Sequence, residues 1–322
     1  MMEKIDKRNS AVELLRCLFM YLIVVHHVFV HGVDHYEDIF LLPQDFSNWL
    51  FFELFLLGKG GVIGFIFISG FYGINFNAKK VLYYFLNICF YLLILQLLFG
   101  HELNQIFAGL VHPYDTWWFV RDYLVLLVIS PLLNEGWKRL NNQTKTYMMI
   151  CLIWIFCIGQ ARYDSHDVMV MIVVYLLAKY VREYTELNKD MKIYVYVLSL
   201  ICLAFYCLIP LLLSLYGLDT YISGWVSHNN IFLIIAIGGC ILYANNNPFH
   251  NRGLNILSKH LLAIYLITDY PSLWHFNKAI LPMMFDFSGY IICFVIFIVC
   301  IFVDSIKLQL FAIGARLICH DK

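Results

Sequence analysis

Charge is scarce in this chain. Only 14% of its 322 residues are charged, and 22 Lys and Arg residues are balanced by 22 Asp and Glu residues. A net charge of zero provides no basic surface for nucleic acid, so we expect no nucleic-acid partner. The ten cysteines are scattered singly and no Cys-x-x-Cys pair occurs, which argues against a disulfide framework or a cysteine zinc site. We interpret them as small apolar side chains.

Polar segments long enough to fold by themselves are also missing. Hydrophobic residues make up 61% of the sequence, and the mean hydropathy of +0.73 is too high for a soluble globule. We therefore expect one integral-membrane domain over residues 1–322, with an all-α fold. The first apolar run is long and contains ionisable residues, so we expect no cleavable signal peptide.

The apolar residues form ten segments, which predict a bundle of about ten transmembrane helices. With a cytoplasmic N-terminus, 17 of the 22 Lys and Arg residues lie on the inner side, two lie outside and three lie within segments. This bias predicts that both termini are cytoplasmic. The ten segments are 10–30, 48–74, 81–100, 117–135, 146–160, 167–181, 192–215, 229–245, 257–276 and 287–303.

Residues 9–31 hold the most informative pattern. Arg16 and His27 are eleven positions apart, so a helix places them within about 20° of one face and roughly 16 Å apart along the axis. Glu13 can pair with Arg16 on the same face, whereas His26 points elsewhere. Ionisable groups at membrane depth are costly and are therefore functional candidates. The alternative is that Arg16 extends to the interface and His27 only makes a hydrogen bond within the bundle.

Three histidines follow one another at helical spacing at the end of this stretch. His27, His31 and His35 imitate a metal-binding face, but Gly32 and a polar run follow. We expect the helix to end there and the later histidines to lie in a loop, with no metal site.

Two further features lie within apolar segments. Gly60 and Gly64 have the Gly-x-x-x-Gly spacing, with Gly61 between them, and predict close helix packing. Asp269 is embedded in the ninth segment and needs a partner, which the sequence does not identify.

Other candidates each permit two interpretations. Lys79 and Lys80 are either ordinary basic residues at the inner surface or ligands for the phosphates of a cytoplasmic cofactor. Ser69 ends the second segment without a Gly-x-Ser-x-Gly elbow, so we do not expect a serine nucleophile. The residues that open the fourth segment form either an aromatic anchor or the wall of a polar pocket: Trp117, Trp118, Arg121 and Tyr123.

Taken in order, these motifs resemble acyltransferase family 3, the bacterial membrane O-acyltransferases of surface glycans. In the first helix of this family, an Arg is followed by ten residues and then by a His. The matching residues are Arg16 and His27, Ser69-Gly70-Phe71, Trp118-Phe119 with Tyr123 and Ser130-Pro131-Leu132-Leu133, and Ser258 with Tyr265-Leu266-Ile267. The resemblance covers nearly the whole chain.

The resemblance implies an enzyme of the bacterial cytoplasmic membrane. It would transfer an acyl group, usually acetyl, from cytoplasmic acyl-CoA to a hydroxyl of an extracytoplasmic polysaccharide or glycolipid. Acetyl-CoA would be a substrate, and no tightly bound cofactor is expected. Membrane lipid and glycan-assembly machinery are further partners. The implied roles are catalysis for His27, Arg16 and Glu13, donor binding for Lys79, Lys80 and Ser69, and acceptor binding for Trp117, Trp118, Arg121 and Tyr123.

Two departures from the family pattern stand out. Thr268 occupies the position of the family's late His, and the Arg-x-x-Arg that often follows the second helix is absent. The alternative function is a transporter or flippase for a glycolipid or small solute, although the sequence has no inverted repeat and no paired broken helices. A structural subunit of a glycan-assembly complex is a third possibility.

Overall fold

The computed structural model describes residues 8–34, 46–99, 116–158, 168–187, 191–218 and 221–320. Within these ranges the chain is helical and contains no strand, so the predicted all-α class is confirmed there. His35, which is expected in a loop, lies outside the described residues.

The helices follow one another closely along the chain. A π-helical turn at Trp154–Ile158 and 3₁₀ turns at Ser258–His260, Pro271–Leu273 and Leu281–Asp286 interrupt them. The α-helices are α1 Ser10–Gly32, α2 Phe46–Tyr72, α3 Ala78–Phe99, α4 Trp118–Arg139, α5 Asn142–Ile153, α6 Val168–Leu187, α7 Met191–Leu215, α8 Ile222–Trp225, α9 Ile231–Asn246, α10 Arg252–Leu257, α11 Leu261–Thr268, α12 Trp274–Ile280 and α13 Ser288–His320.

Five stretches in the described part of the chain are long and apolar enough to cross a membrane. They are Ser10–Gly32, Phe52–Tyr72, Ala78–Phe99, Met191–Leu215 and Ser288–Ile313, and Ile231–Asn246 is a shorter apolar helix. The protein is therefore a helical membrane protein. Ten spans and two cytoplasmic termini remain predictions.

The ninth predicted segment, 257–276, is not one helix. The 3₁₀ turn after α10 leads into α11, which ends at Thr268, and α12 begins only at Trp274. The physical reason is Pro271, which lacks an amide N–H and disfavours helical geometry at the residue before it. Tyr270 is accordingly extended, with φ −77° and ψ 126°. The break places Asp269 at a helix end.

Helix α1 is the central element of the bundle. It packs most extensively against α2 and also contacts α9 to α13. Glycines on α2 allow the close approach, because a Cβ at Gly61 would lie 2.6 Å from the carbonyl oxygen of Phe19 and 2.6 Å from the side chain of Ile23. A Cβ at Gly64 would collide with the Phe19 ring. The predicted close packing is therefore confirmed.

A buried polar network joins α3, the start of α11 and α13. Asp304 of α13 accepts hydrogen bonds from Nδ1 of His260 at 2.7 Å and from the Tyr91 hydroxyl at 2.5 Å. It also pairs with Lys307, whose ammonium donates to Oδ1 of Asn87 at 2.8 Å. Because each charge has a partner, the network ties α3 and the start of α11 to α13 without leaving an isolated ion in an apolar region.

Candidate active site

His27 is buried on α1, opposite the broken segment that follows α11. Its Nδ1 lies 3.2 Å from the hydroxyl oxygen of Thr268, and that hydroxyl lies 2.9 Å from the carbonyl oxygen of Ile264. A tautomer with hydrogen on Nδ1 satisfies both contacts, because the single hydroxyl proton of Thr268 is used on Ile264 and its oxygen then accepts from His27. In the neutral imidazole, Nε2 therefore holds the free lone pair.

The free nitrogen of His27 faces a carboxylate. Oδ1 of Asp269 lies 3.6 Å from His27 Nε2, beyond hydrogen-bond distance, and 3.1 Å from Nε2 of His31. Since an ionised carboxylate only accepts, His31 donates to it. Asp269 is buried, so its charge can stabilise an imidazolium formed at His27. This arrangement supports proton transfer or nucleophilic attack at Nε2 of His27.

His31 lies in the last turn of α1, so its expected place in a loop is wrong. Helical spacing of four residues keeps it on the His27 face, and the two rings are 5.6 Å apart. Its ring stacks on Trp274 of α12, with a centroid distance of 4.0 Å and an interplanar angle of 6°. Among the described residues, no group of His, Cys, Asp and Glu side chains has the arrangement of a metal site.

His26 points away from this cluster, as the helical spacing predicts. Its Nδ1 donates to the carbonyl oxygen of Phe55 on α2 at 3.1 Å, and its ring stacks on the Phe55 ring at 4.8 Å. Both contacts hold α1 against α2. The neighbouring histidines therefore have different surroundings.

Arg16 and Glu13 form the predicted pair at the other end of α1. Nη1 of Arg16 lies 3.2 Å from Oε1 of Glu13, which is buried, and Arg8 lies 3.7 Å from the same oxygen. The buried carboxylate fixes the direction of a partly exposed guanidinium. A fixed guanidinium suits the recognition of phosphate or carboxylate groups.

The predicted donor-binding residues lie in different settings. Ser69 is near the end of α2, where its hydroxyl donates to the carbonyl oxygen of Phe65 at 2.8 Å and lies 3.1 Å from the Tyr123 hydroxyl. Lys79 and Lys80 are exposed in the first turn of α3. The structure therefore brings Ser69 against α4 and leaves both lysines on the surface.

The four residues predicted at the start of α4 contact different neighbours. Trp117 is buried against Tyr270, next to Asp269, with 6.3 Å between the ring centroids. Trp118 packs against His228 at 5.4 Å. Of the other two, Arg121 pairs with Asp122 at 2.9 Å, while Tyr123 contacts Ser69 and Phe119.

An aromatic path joins these residues to the histidine. The Phe119 ring lies 5.9 Å from Tyr123 and 5.7 Å from Tyr265, and Tyr265 lies 5.8 Å from His27. These side chains connect the C-terminal end of α2, where Ser69 lies, with the imidazole on α1.

The partners of His27 were not predicted from the sequence. His31 was available from its spacing of four residues from His27, and Asp269 from its place in an apolar run. Trp274 carried no signal, because its contact with His31 exists only after α12 folds back onto α1.

Comparison with known proteins gives one match. The model of a family described as an acyltransferase domain matches residues 9–306 of the chain. No curated protein and no solved structure matches it.

Proposed function

Because the chain belongs to acyltransferase family 3, we propose that it is an O-acyltransferase of the bacterial cytoplasmic membrane. In this proposal it transfers an acetyl or other short acyl group from cytoplasmic acyl-CoA to a hydroxyl of an extracytoplasmic polysaccharide or glycolipid. The N-terminus lies in the cytoplasm, which puts Arg16 near the donor side and His27 towards the acceptor side.

The observation that carries the proposal is the 3.6 Å distance between Nε2 of His27 and Oδ1 of Asp269. A base for acyl transfer must have an unprotonated nitrogen before the reaction and a way to stabilise the charge it gains. Thr268 provides the first by accepting from Nδ1, and Asp269 provides the second. His27 is therefore the catalytic residue of the proposal.

The reaction can proceed directly. Nε2 of His27 takes the proton of the acceptor hydroxyl while the hydroxyl oxygen attacks the thioester carbonyl carbon. The carbon–sulfur bond then breaks, and the same nitrogen returns the proton to the sulfur of CoA. The products are an ester and free CoA thiol, and His27 ends in its starting state.

The alternative uses the same nitrogen as a nucleophile. Nε2 attacks the thioester carbon, the carbon–sulfur bond breaks and CoA leaves as the thiolate, which takes a proton from water. The acceptor hydroxyl then attacks the acyl carbon, the carbon–nitrogen bond breaks to restore the imidazole, and the hydroxyl proton is released to solvent. A burst of CoA equal to the amount of enzyme, without acceptor, together with acylated His27 in the mass spectrum, would identify this route.

The donor residues of the proposal lie towards the inner end of the bundle. Arg16 holds an anionic part of acyl-CoA, and Glu13 orients it. Lys79 and Lys80 are further candidates for the CoA phosphates, and Ser69 lies where the aromatic path begins. Trp117, Trp118, Arg121 and Tyr123 remain the proposed acceptor contacts, and membrane lipid and glycan-assembly machinery the further partners.

The test uses purified protein in nanodiscs with acetyl-CoA, and follows the release of free CoA. We expect slow release by the wild type, loss of at least about a hundredfold in His27→Ala, and a weaker loss in Arg16→Ala that is reversed at high acetyl-CoA. His250→Ala, which removes an exposed histidine, is the matched control. Release that is equal in wild type and His27→Ala would contradict the assignment.

A further inference from the structure

The outer end of α1 meets one face of α12. Trp274, Asn277 and Lys278 are three and four positions apart, so they lie on the same side of that short helix. Trp274 stacks on His31, and the Lys278 ammonium lies 2.5 Å from the carboxylate of Asp34. This face therefore lies against the end of α1 that carries the histidines.

Trp274 combines a fixed position with an open surface. Its stacking on His31 holds the indole plane, yet 36% of the residue is exposed. One side of the ring is used by the imidazole, and the remaining indole surface is available to a ligand. A flat aromatic surface with a negative π face suits the apolar C–H face of a pyranose ring.

Asn277 adds a side-chain amide whose nitrogen makes no hydrogen bond within the described part of the chain. The residue is only 8% exposed, and among the described residues its Nδ2 has no hydrogen-bond partner. The helix is packed tightly here, because a Cβ on Gly32 would lie 3.1 Å from the Asn277 carbonyl oxygen. A buried amide donor without a partner is costly unless a ligand or water accepts from it.

We propose that Asp269, His31, Trp274 and Asn277 form a subsite that binds a pyranose ring of the acceptor. This inference rests on the proposed function and identifies where its acceptor is held. Trp274 stacks on the sugar, Asn277 donates to a ring or hydroxyl oxygen, and Asp269 accepts from a hydroxyl. The reacting hydroxyl is then presented to Nε2 of His27, which lies beside the same carboxylate.

The charges at this subsite select a class of sugar. The Asp269 carboxylate belongs to the subsite, and the nearby Lys278 is already paired with Asp34. A sugar with its own carboxylate would place that group next to the carboxylate of Asp269, and the two like charges would repel each other. The acceptor is therefore a neutral or amino sugar and not a uronic acid.

The experiment follows the two fates of the acyl group in one assay. Inverted membrane vesicles that contain the protein and the cell's own glycans receive [¹⁴C]acetyl-CoA. Label is counted as alkali-labile ester on glycan and as free acetate from hydrolysis, and vesicles without the protein give the background. The ratio of ester to acetate reports on acceptor binding, and their sum reports on use of the donor.

We expect Trp274→Ala and Asn277→Leu to lower the ratio about tenfold and about threefold, with hydrolysis retained. Trp274→Phe keeps an aromatic face and should recover most of the ratio. Trp154→Ala removes a tryptophan that is 66% exposed on another part of the chain, and should leave the ratio unchanged.

Three outcomes separate the inference from the function on which it rests. An unchanged ratio in Trp274→Ala and Asn277→Leu would overturn the subsite. Ester and acetate that fall together in both variants would also overturn it, because the lesion would not be specific to the acceptor. No protein-dependent label in either product with the wild type would instead overturn the proposed function.

Discussion

His27 and Thr268 are 241 residues apart in the chain, yet Nδ1 of the imidazole lies 3.2 Å from the threonine hydroxyl. The hydroxyl donates to Ile264, so it can only accept from His27. In this arrangement Thr268 favours the tautomer in which Nε2 of His27 is the basic nitrogen.

Replacement of Thr268 tests this control of the tautomer. Thr268→Val keeps the shape but removes the acceptor, so Nδ1–H is left unsatisfied and the tautomer with hydrogen on Nε2 becomes available. We expect kcat to fall about tenfold with little change in the KM for acetyl-CoA. Thr268→Ser should retain most activity, since its hydroxyl can make both contacts. A fall in the serine variant equal to that of Thr268→Val would contradict the role of the hydroxyl.

Asp269→Asn removes a charge with almost no change in volume. An amide cannot stabilise the His27 imidazolium as a carboxylate does, so we expect kcat for CoA release to fall about a hundredfold. The measurement is CoA release at saturating acetyl-CoA. Glu135→Gln neutralises an exposed carboxylate paired with Lys138 and serves as the control. Full activity of Asp269→Asn would exclude an electrostatic role for this residue.

The glycines of α2 predict a position-dependent cost of adding one methyl group. At Gly61 a Cβ collides with the α1 backbone, so Gly61→Ala should destabilise the fold by about 1–3 kcal/mol. Gly136 has no atom within 4 Å of its Cβ position, so Gly136→Ala should be neutral or slightly stabilising. Thermal inactivation in nanodiscs compares the two. Equal loss of stability would show that α1 and α2 are not in close contact at Gly61.

The network at Asp304 predicts that the single variant Lys307→Met is less stable than the double variant Lys307→Met/Asp304→Asn. Lys307→Met leaves the Asp304 carboxylate buried without its cation, which should cost about 3–5 kcal/mol. Adding Asp304→Asn removes that charge and should recover part of the lost stability. The recovery is partial because the amide of Asn has one oxygen acceptor for Tyr91 and His260, where the carboxylate has two. Thermal unfolding of both variants gives the comparison, and additive losses would contradict charge pairing in this network.

The stripe on α1 could be predicted from sequence because it depends on local geometry alone. Helical spacing places Glu13 beside Arg16, turns His26 away and puts His27 on the face of Arg16. The structure confirms the first two contacts directly, through the 3.2 Å pair and the bond of His26 to Phe55. The glycine spacing on α2 was informative for the same reason.

The other half of the site could not be predicted, because its contacts join residues more than 230 positions apart. Asp269 was visible as a costly charge, but its partners depend on how α11 and α12 pack against α1. Pro271 is a helix-breaking residue, but the residues on both sides of it are apolar, so the break was not predicted. Hydropathy averages over a window, so it registers 257–276 as one segment even where the backbone turns.

Both ends of the proposed reaction lie on one uninterrupted helix. Residue count alone separates Arg16 from His27 by roughly 16 Å, and the close fit of Gly61 and Gly64 resists sliding of α1 along α2. Helix α1 therefore fixes both the distance and the relative direction of the two side chains. A single residue inserted between them would turn His27 by about 100° away from Asp269. In the proposed reaction a donor must span this fixed interval from its anionic end to its thioester. The reaction would then select for the length of the donor between these two groups.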